Sequence, residues 1–189
     1  MKSNPRFIYV VPLGDISIEY LEGIAESIEE QFGLPVKIIA NQGVPDYALD
    51  AVRQQYNSNL ILQKLINEPG PEGLKILGVT HVDLFNPIFS FVFGEAQFQG
   101  KGAVISSYRL IGNPEKEGRL GCPPLISRLE KEAIHELGHT FGLKHCPDPD
   151  CVMQYSVGLE CADRKFSFFC PACRDLVLWQ LDKDVSLTV

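Results

Sequence analysis

The chain has 189 residues, of which 45% are hydrophobic and 22% are charged, and its formal net charge is -7 at neutral pH. This length predicts one domain of ordinary size with at most a small appendage, and the composition is that of a soluble globular protein. No apolar run approaches the roughly 20 residues that a membrane-spanning helix needs. Because phosphate binding requires clustered Lys and Arg, the acidic balance argues against a nucleic-acid partner.

The first apolar run, residues 7–13, predicts a strand and not a secretion signal. Pro12 interrupts it, and Asp15 follows without a small-residue cleavage site. We therefore expect a cytoplasmic protein. The chain has six cysteines, and in a reducing compartment clustered thiols bind metal or do chemistry more often than they form disulfides.

The first half of the chain alternates predicted strands and helices. Strands are predicted at residues 7–11, 36–40, 74–82, 88–93 and 102–108, and helices at residues 16–33 and 57–66. Asn57 or Ser58 is the expected cap of the second helix, and a turn at residues 69–73 is expected to end that helix. Residues 94–100 are the predicted turn between the last two strands. This order indicates a three-layer α/β sandwich with a mostly parallel five-stranded sheet. The sheet is mixed because the last link is too short for a parallel pair.

A third helix is predicted after a Gly- and Pro-rich loop at residues 112–124. One of its faces is apolar at every fourth position: Leu125, Leu129, Ala133, Leu137 and Phe141. Ser127 and Glu130 have the spacing of a capping box at its start.

The composition changes after Gly142 to Pro, Cys and Asp. We expect little regular structure there before a short terminal helix at residues 176–181. We therefore expect an N-terminal α/β part, residues 1–142, and a small Cys-rich part, residues 143–189.

The third predicted helix carries H-E-L-G-H, with His135 and His139 four residues apart. Both histidines therefore project from one face and can share a metal ion. Glu136 lies about 100° around the helix from His135, beside the metal, where its carboxylate can take a proton from water. This arrangement predicts a general base.

Gly142 can adopt the left-handed conformation that ends a helix and reverses the chain, which returns His145 as the third ligand. Three nitrogen ligands leave one tetrahedral position for water, as in a catalytic zinc site. The alternative is a helix with ordinary polar histidines, since H-E-x-x-H also arises by chance. His81, the remaining histidine, is expected to be structural.

Met153 lies in the segment C-V-M-Q-Y and looks like the methionine of the metzincin Met-turn, beneath the metal. A methionine in a loop can also be hydrophobic filler. Tyr155 occupies the position at which some metzincins place a tyrosine that stabilises the oxyanion, although a tyrosine of the core or rim fits equally well.

Two cysteine pairs have the spacing of metal ligands. They are Cys146 with Cys151, and Cys170 with Cys173. Four thiolates form a closed tetrahedral shell for a structural zinc, and two disulfides are the alternative. Because Cys146 follows His145 directly, we expect this zinc to hold the third catalytic ligand in place.

Two cysteines are left unassigned. Cys122 and Cys161 are candidates for buried free thiols, and Cys161 can in principle replace one of the four ligands.

The histidine segment, the Cys146 that follows it, Cys151 with Met153, and C-P-A-C at residues 170–173 together resemble the signature of the archaemetzincins. The resemblance implies a metzincin-like fold with a sheet whose edge strand, at residues 88–93 here, pairs with an extended peptide substrate beside the zinc. The segment between Met153 and Cys170 is slightly shorter than the family pattern.

The leading hypothesis is peptide-bond hydrolysis with two zinc ions per chain, one catalytic and one structural. Zinc polarises the scissile carbonyl and acidifies water, and Glu136 removes a proton and delivers it to the leaving nitrogen. The expected partner is a peptide or protein substrate, with no nucleic acid and no membrane, and we expect a monomer. One alternative is an inactive zinc protein that binds peptides or proteins, and another is a zinc-ribbon nucleic-acid module.

Overall fold

The computed structural model describes residues 6–67, 73–112, 115 and 124–186. Over these ranges the chain forms eight strands, five α-helices and two short 3-10 helices. The strands are β1 (Ile8–Leu13), β2 (Val36–Ile38), β3 (Leu49–Asp50), β4 (Gln55–Asn57), β5 (Lys75–Thr80), β6 (Leu84–Phe85), β7 (Gly94–Ala96) and β8 (Gly102–Ser106). The helices are α1 (Ile18–Phe32), α2 (Ser58–Asn67), α3 (Leu125–Thr140), α4 (Leu159–Arg164) and α5 (Pro171–Ser186).

The main sheet has five strands in the order β2-β1-β5-β8-β7. Strands β2, β1, β5 and β8 run parallel, and β7 at the edge is antiparallel to β8. Parallel strands need a crossover between them, which α1 supplies from β1 to β2, whereas β7 and β8 are joined by a short turn. The predicted mixed, mostly parallel five-stranded sheet is confirmed.

Successive residues of the central strands supply two apolar cores, one on each face of the sheet. Val10 and Leu77 pack with side chains of α1 and α3, whereas Val11 and Val104 pack with side chains of α2. Strands β1, β5 and β8 are buried along their whole length, as expected when helices cover both faces of a parallel sheet. The architecture is the predicted three-layer α/β sandwich.

The predicted strand at residues 88–93 and the predicted turn at residues 94–100 are wrong. The edge strand is β7, and the turn comes after it, at residues 97–101. Residues 88–93 are mostly apolar, but only part of the run is buried. Phe93 packs in the core, whereas Ile88 is 84% exposed. Hydrophobicity reports the burial of side chains and not the pairing of the backbone, so it shifted the predicted strand toward the N-terminus.

Helix starts were predicted with mixed success. Asn57 caps α2 as predicted, since its Oδ1 accepts a hydrogen bond of 3.0 Å from the backbone N–H of Asn59. The predicted capping box of α3 is wrong, because the helix begins directly after Pro124 and neither Ser127 nor Glu130 caps it. The fixed φ of a proline suits the start of a helix, where the N–H group that proline lacks has no helical partner.

Several short elements were not predicted. They are a second sheet with the strand order β3-β4-β6, and helix α4. Strands of two or three residues are too short for an alternating pattern. Helix α5 is longer than predicted, because it begins before residue 176 and ends after residue 181. The predicted turn at residues 69–73 and loop at residues 112–124 lie largely outside the described residues.

The Cys-rich part packs on the same core as α1 and α3. Val152, Met153 and Val177 belong to that apolar cluster, and Nη1 of Arg174 on α5 donates 2.9 Å to the carbonyl of Gln31 on α1. The division at residue 142 stays a prediction, because this cluster contains side chains from both parts. None of the described helices is both long and apolar enough to cross a membrane.

Candidate active site

The second half of α3 carries His135, Glu136 and His139. The helix is held from behind by side chains such as Leu129 and Leu137, which are fully buried in the core. His135 and Glu136 are themselves buried, and His139 is half-buried at the last turn. Because the two histidines are four residues apart, both rings face the same side of the helix.

Gly142 ends α3 in the predicted left-handed conformation, with φ at +86°. Its N–H donates 2.9 Å to the carbonyl of His139, and the N–H of Leu143 donates 3.1 Å to the carbonyl of Gly138. These two bonds form a Schellman motif, which satisfies the last carbonyls of the helix while the chain reverses. The reversal brings His145 back toward the helix.

The three histidines converge as the sequence predicts. The candidate ligand nitrogens of His135, His139 and His145 all lie within 4.8 Å of one another. The Nε2 atoms of His135 and His139 are 3.2 Å apart. A tetrahedral zinc with bonds of about 2.0–2.1 Å places two nitrogen ligands about 3.3 Å apart. The donor set and its spacing therefore fit a zinc ion.

Two of the imidazoles are fixed by backbone carbonyls. Nδ1 of His135 lies 2.8 Å from the carbonyl of Val152, and Nδ1 of His139 lies 2.7 Å from that of Leu143. With Nδ1 as the donor, each Nε2 presents a lone pair to the space between the rings. Burial lowers the pKa of all three histidines, which favours the neutral form that binds metal.

The side chain of Glu136, on α3, lies in close contact with the edge strand β7. A Cβ on Gly94 would lie 2.7 Å from Cγ of Glu136 and 2.8 Å from the carbonyl of Val104, so only glycine allows this approach. Burial, followed by the charge of Glu132, raises the pKa of Glu136 well above its usual range, and the ammonium of Lys165 opposes that rise.

Met153 lies directly beneath the helical turn that carries the histidines, as predicted for a Met-turn. It is fully buried, and a Cβ on Gly138 would lie 2.5 Å from its sulfur. Gly138 stands between Glu136 and His139 in the sequence. Because Gly138 has no side chain, the Met153 side chain has room beneath the site.

The four predicted sulfur ligands also come together. They are Cys146, Cys151, Cys170 and Cys173, whose Sγ atoms all lie within 4.8 Å of one another. Sγ of Cys146 and Sγ of Cys170 are 3.8 Å apart. A tetrahedral zinc with Zn–S bonds of about 2.3 Å gives a separation of about 3.8 Å. A disulfide would need about 2.05 Å, so this geometry favours a metal over the disulfide alternative.

The remaining candidates lie elsewhere. Cys161 is a free thiol outside this cluster, and Cys122 is outside the described residues. His81 belongs to neither cluster.

The two clusters are connected through the Cys-rich segment. Cys146 follows His145 directly, and its N–H donates 2.9 Å to the carbonyl of Met153. Val152, whose carbonyl fixes His135, follows Cys151, and its N–H donates 3.0 Å to the carbonyl of Phe168. One loop therefore carries sulfur ligands, a histidine and the carbonyl that orients another histidine.

The histidines open onto a cleft of about 360 Å³. Phe89 and Phe91 line one wall, and Tyr155 and Val157 line the other. The Tyr155 ring lies 4.8 Å from the His145 ring, centroid to centroid. Tyr155 is therefore beside the third histidine, on the side open to a substrate.

Sequence reasoning missed two buried charged residues in this cleft, Glu132 and Lys165. Glu132 precedes Glu136 by one helical turn, and that spacing was an available signal because it puts two carboxylates on one face. Lys165 follows α4, which itself was not predicted, so the sequence carried no comparable signal for it.

This fold and these clusters define a class of protein, the metzincin-type zinc metallopeptidases. The model of Peptidase family M54 matches residues 17–178. The archaemetzincin of Methanocaldococcus jannaschii is 41% identical over 170 residues, covering 88% of this chain and 89% of that protein. That of Pyrococcus furiosus is 39% identical over 176 residues, covering 88% and 89%.

Solved structures agree with these matches. The crystal structure of archaemetzincin from Methanopyrus kandleri has a TM-score of 0.80 at 34% identity, covering 96% of this chain and 98% of that chain. The structure from Archaeoglobus fulgidus has a TM-score of 0.76 at 35% identity, covering 90% and 99%. The chain therefore belongs to Peptidase family M54, a family of zinc metallopeptidases that hydrolyse peptide bonds.

Replacing Gly94 with Ala is expected to lower kcat while leaving the metal content unchanged. The added Cβ must push either Glu136 or the β8 backbone, because it would lie 2.7 Å from Cγ of Glu136 and 2.8 Å from the carbonyl of Val104. A displacement of about 1 Å at a reacting group costs on the order of 100-fold in rate. Peptide-cleavage kinetics and metal analysis measure the two quantities.

The matched control is Gly158→Ala, whose Cβ would meet nothing closer than 3.6 Å. If both variants turned over at the wild-type rate, the tight contact between β7 and Glu136 would have no part in catalysis.

Proposed function

We propose that the chain hydrolyses peptide bonds at a zinc ion held by His135, His139 and His145, with Glu136 as general base. The convergence of three imidazoles, each with one ring nitrogen in the cluster, beside a buried carboxylate is the observation that supports this. Zinc bound there would polarise the scissile carbonyl and acidify the attacking water. Glu136 takes a proton from that water and gives it to the leaving nitrogen.

The substrate peptide is proposed to lie extended along β7. This strand is the last of the main sheet, its outer edge has no partner among the described strands, and Gly94 and Ala96 line the cleft. An extended peptide can pair with such an edge through backbone hydrogen bonds. β7 takes the place of the edge strand first predicted at residues 88–93.

Glu136→Ala is expected to keep its zinc and lose hydrolysis. The ligands are untouched, and the loss of a general base lowers kcat by about 100-fold to 10,000-fold. Metal analysis and cleavage of a peptide library, with and without chelator, provide the readouts. Glu160→Ala, at an exposed position of α4, is the control.

Unchanged turnover in Glu136→Ala would refute the assignment of the base. Absence of chelator-sensitive cleavage in the wild type would instead favour the alternative of a zinc protein that only binds peptides.

Tyr155 is proposed to stabilise the oxyanion that forms on the scissile carbonyl. Its ring borders both His145 and the cleft, and it is 48% exposed, so its hydroxyl is free to reach a bound peptide. Tyr155→Phe should lower kcat about 100-fold to 1,000-fold with little change in KM. Tyr108→Phe, at another exposed tyrosine, controls for the loss of a hydroxyl, and an unchanged kcat for Tyr155→Phe would dispose of this role.

A second, structural zinc is proposed for Cys146, Cys151, Cys170 and Cys173. Together with the catalytic ion this gives two zinc ions per chain. The hydrogen bonds of Met153 and Val152 join the cysteine cluster to the histidines, so loss of the structural ion should loosen the catalytic site.

Cys170→Ser is therefore expected to lose more than one equivalent of zinc. The structural ion goes first, and the catalytic site then loses affinity because His145 and the carbonyl of Val152 are less well held. Metal quantification after dialysis against a weak chelator, together with activity, measures both sites. Cys161→Ser, outside the cluster, should behave as wild type, whereas full catalytic occupancy and normal activity in Cys170→Ser would defeat the proposed dependence.

A further inference from the structure

The edge strand β7 carries one charged side chain, Glu95, which the proposed reaction does not use. Gly94 and Ala96 face α3, since a Cβ on Gly94 would meet Glu136 and Ala96 packs against the core cluster on that side. Successive side chains of a strand point to opposite faces of the sheet. Glu95 therefore points to the α2 side, where its carboxylate contacts the hydroxyl of Ser58. Glu95 is half-buried there and also lines the cleft.

The hydroxyl of Ser58 gives this carboxylate only part of a hydrogen bond. Oγ of Ser58 donates to Oε2 of Glu95 and also, at 2.8 Å, to the carbonyl of Phe85. A hydroxyl has one hydrogen, so the two acceptors compete for it. The N–H groups of residues 59 and 60, at the start of α2, bond to Oδ1 of Asn57 instead. Within the described part of the chain, Glu95 accepts no other hydrogen bond.

Glu95 has no cationic partner among the described residues, since it takes part in none of their ion pairs. Lys165 is the one lysine or arginine among the described residues that line the cleft, and its Nζ lies 3.3 Å from His135 on α3. Burial raises the pKa of Glu95, and the Ser58 hydroxyl opposes this rise. A half-buried carboxylate without a cation is costly to keep, which indicates that a cation arrives with a ligand.

The proposed course of the substrate brings a side chain to this carboxylate. In a peptide paired with β7, the residue directly opposite Glu95 projects its side chain on the same face of the sheet, with Cβ atoms about 4.5–5.5 Å apart. Lysine and arginine are long enough to reach the carboxylate from there, and opposite charges on facing strand positions stabilise the pair. The neighbouring residues of the peptide face α3 and the histidines instead. Glu95 can therefore select the residue at one position of the peptide.

We infer that Glu95 is a specificity-determining residue that binds a cationic group of the substrate peptide, an ammonium or a guanidinium, close to the scissile bond. A basic side chain and the N-terminal amine of the peptide are the two sources of such a group. This inference rests on the proposed function, because it needs hydrolysis at the histidines and a peptide that lies along β7.

The test uses the zinc-loaded full chain and peptides with one cleavable bond, in which Lys, Arg or Gln occupies each position in turn. At one position the wild type should cleave the Lys and Arg peptides with a kcat/KM about 10-fold above that of the Gln peptide, because hydrogen bonds between charged groups are strong. Glu95→Gln should reduce this ratio to about one. A higher ionic strength should reduce the ratio in the wild type as well.

Each peptide is also tested with an acetylated N-terminus, which distinguishes the two sources of the cation. A preference for Lys and Arg in acetylated peptides assigns the cation to a side chain. A preference for free over acetylated N-termini that Glu95→Gln abolishes assigns it to the terminal amine.

Two control variants separate substrate binding from support of α2. Ser58→Ala removes the hydroxyl and keeps the carboxylate, so it should lower Tm and leave the ratio of Lys to Gln peptides near the wild-type value. Glu22→Gln, at an exposed position of α1 outside the cleft, makes the same change in net charge and should behave as the wild type. A merely structural Glu95 would make Glu95→Gln behave as Ser58→Ala does, with a lower Tm and an unchanged ratio.

A coupling experiment does not depend on the folding of a Glu95 variant. In Glu136→Ala, a carbodiimide should join the amine of the bound peptide to Glu95 as an amide, and peptide mapping by mass spectrometry locates the modified residue. Coupling at other carboxyl groups with none at Glu95 would contradict the inference.

The inference is overturned if the wild type prefers a cation at no position, or if Glu95→Gln keeps the preference. Wild-type cleavage without such a preference defeats only the role of Glu95. Hydrolysis by Glu136→Ala, or the absence of chelator-sensitive cleavage in the wild type, would instead defeat the proposed function itself.

Discussion

The hydrogen bond between Nδ1 of His135 and the carbonyl of Val152 joins the two metal-binding clusters of this chain. On one side it sets which nitrogen of His135 faces the other imidazoles. On the other side it depends on Val152, which directly follows Cys151 of the cysteine cluster. His145 and Cys146 are adjacent in the sequence, and this is a second connection between the histidine cluster and the cysteine cluster. The chain thus places the candidate site against the segment that carries the clustered cysteines, and a side chain already held in place needs less ordering when substrate binds.

Glycines set how closely the elements around this centre approach. Gly94 brings the edge strand into contact with Glu136, and Gly138 gives Met153 its place under the helix. Gly142 reverses the chain in a conformation that side chains rarely adopt. A methyl group at Gly94 or Gly138 would move Glu136 or Met153, and one at Gly142 would strain the turn that returns His145.

The site was more predictable from the sequence than the sheet edge was. His135, His139 and His145 follow from helical periodicity and one helix-ending glycine, and both are local rules. The cysteines followed from ligand spacing, and the structure brings all four together. The edge strand was misplaced because pairing of β7 depends on β8, and no local pattern records that contact. Lys165 was missed for the same reason, since its partners lie about thirty residues away on α3.

The central claim is that three imidazoles hold one zinc with a position open to the cleft, while four thiolates hold another. The most direct measurement is an anomalous difference map from a crystal at the zinc absorption edge. We expect two peaks per chain, one about 2.0–2.1 Å from one ring nitrogen of each histidine with no fourth protein ligand, and one about 2.3 Å from the four Sγ atoms. A single peak, or a side chain occupying the fourth position at the histidines, would contradict the account.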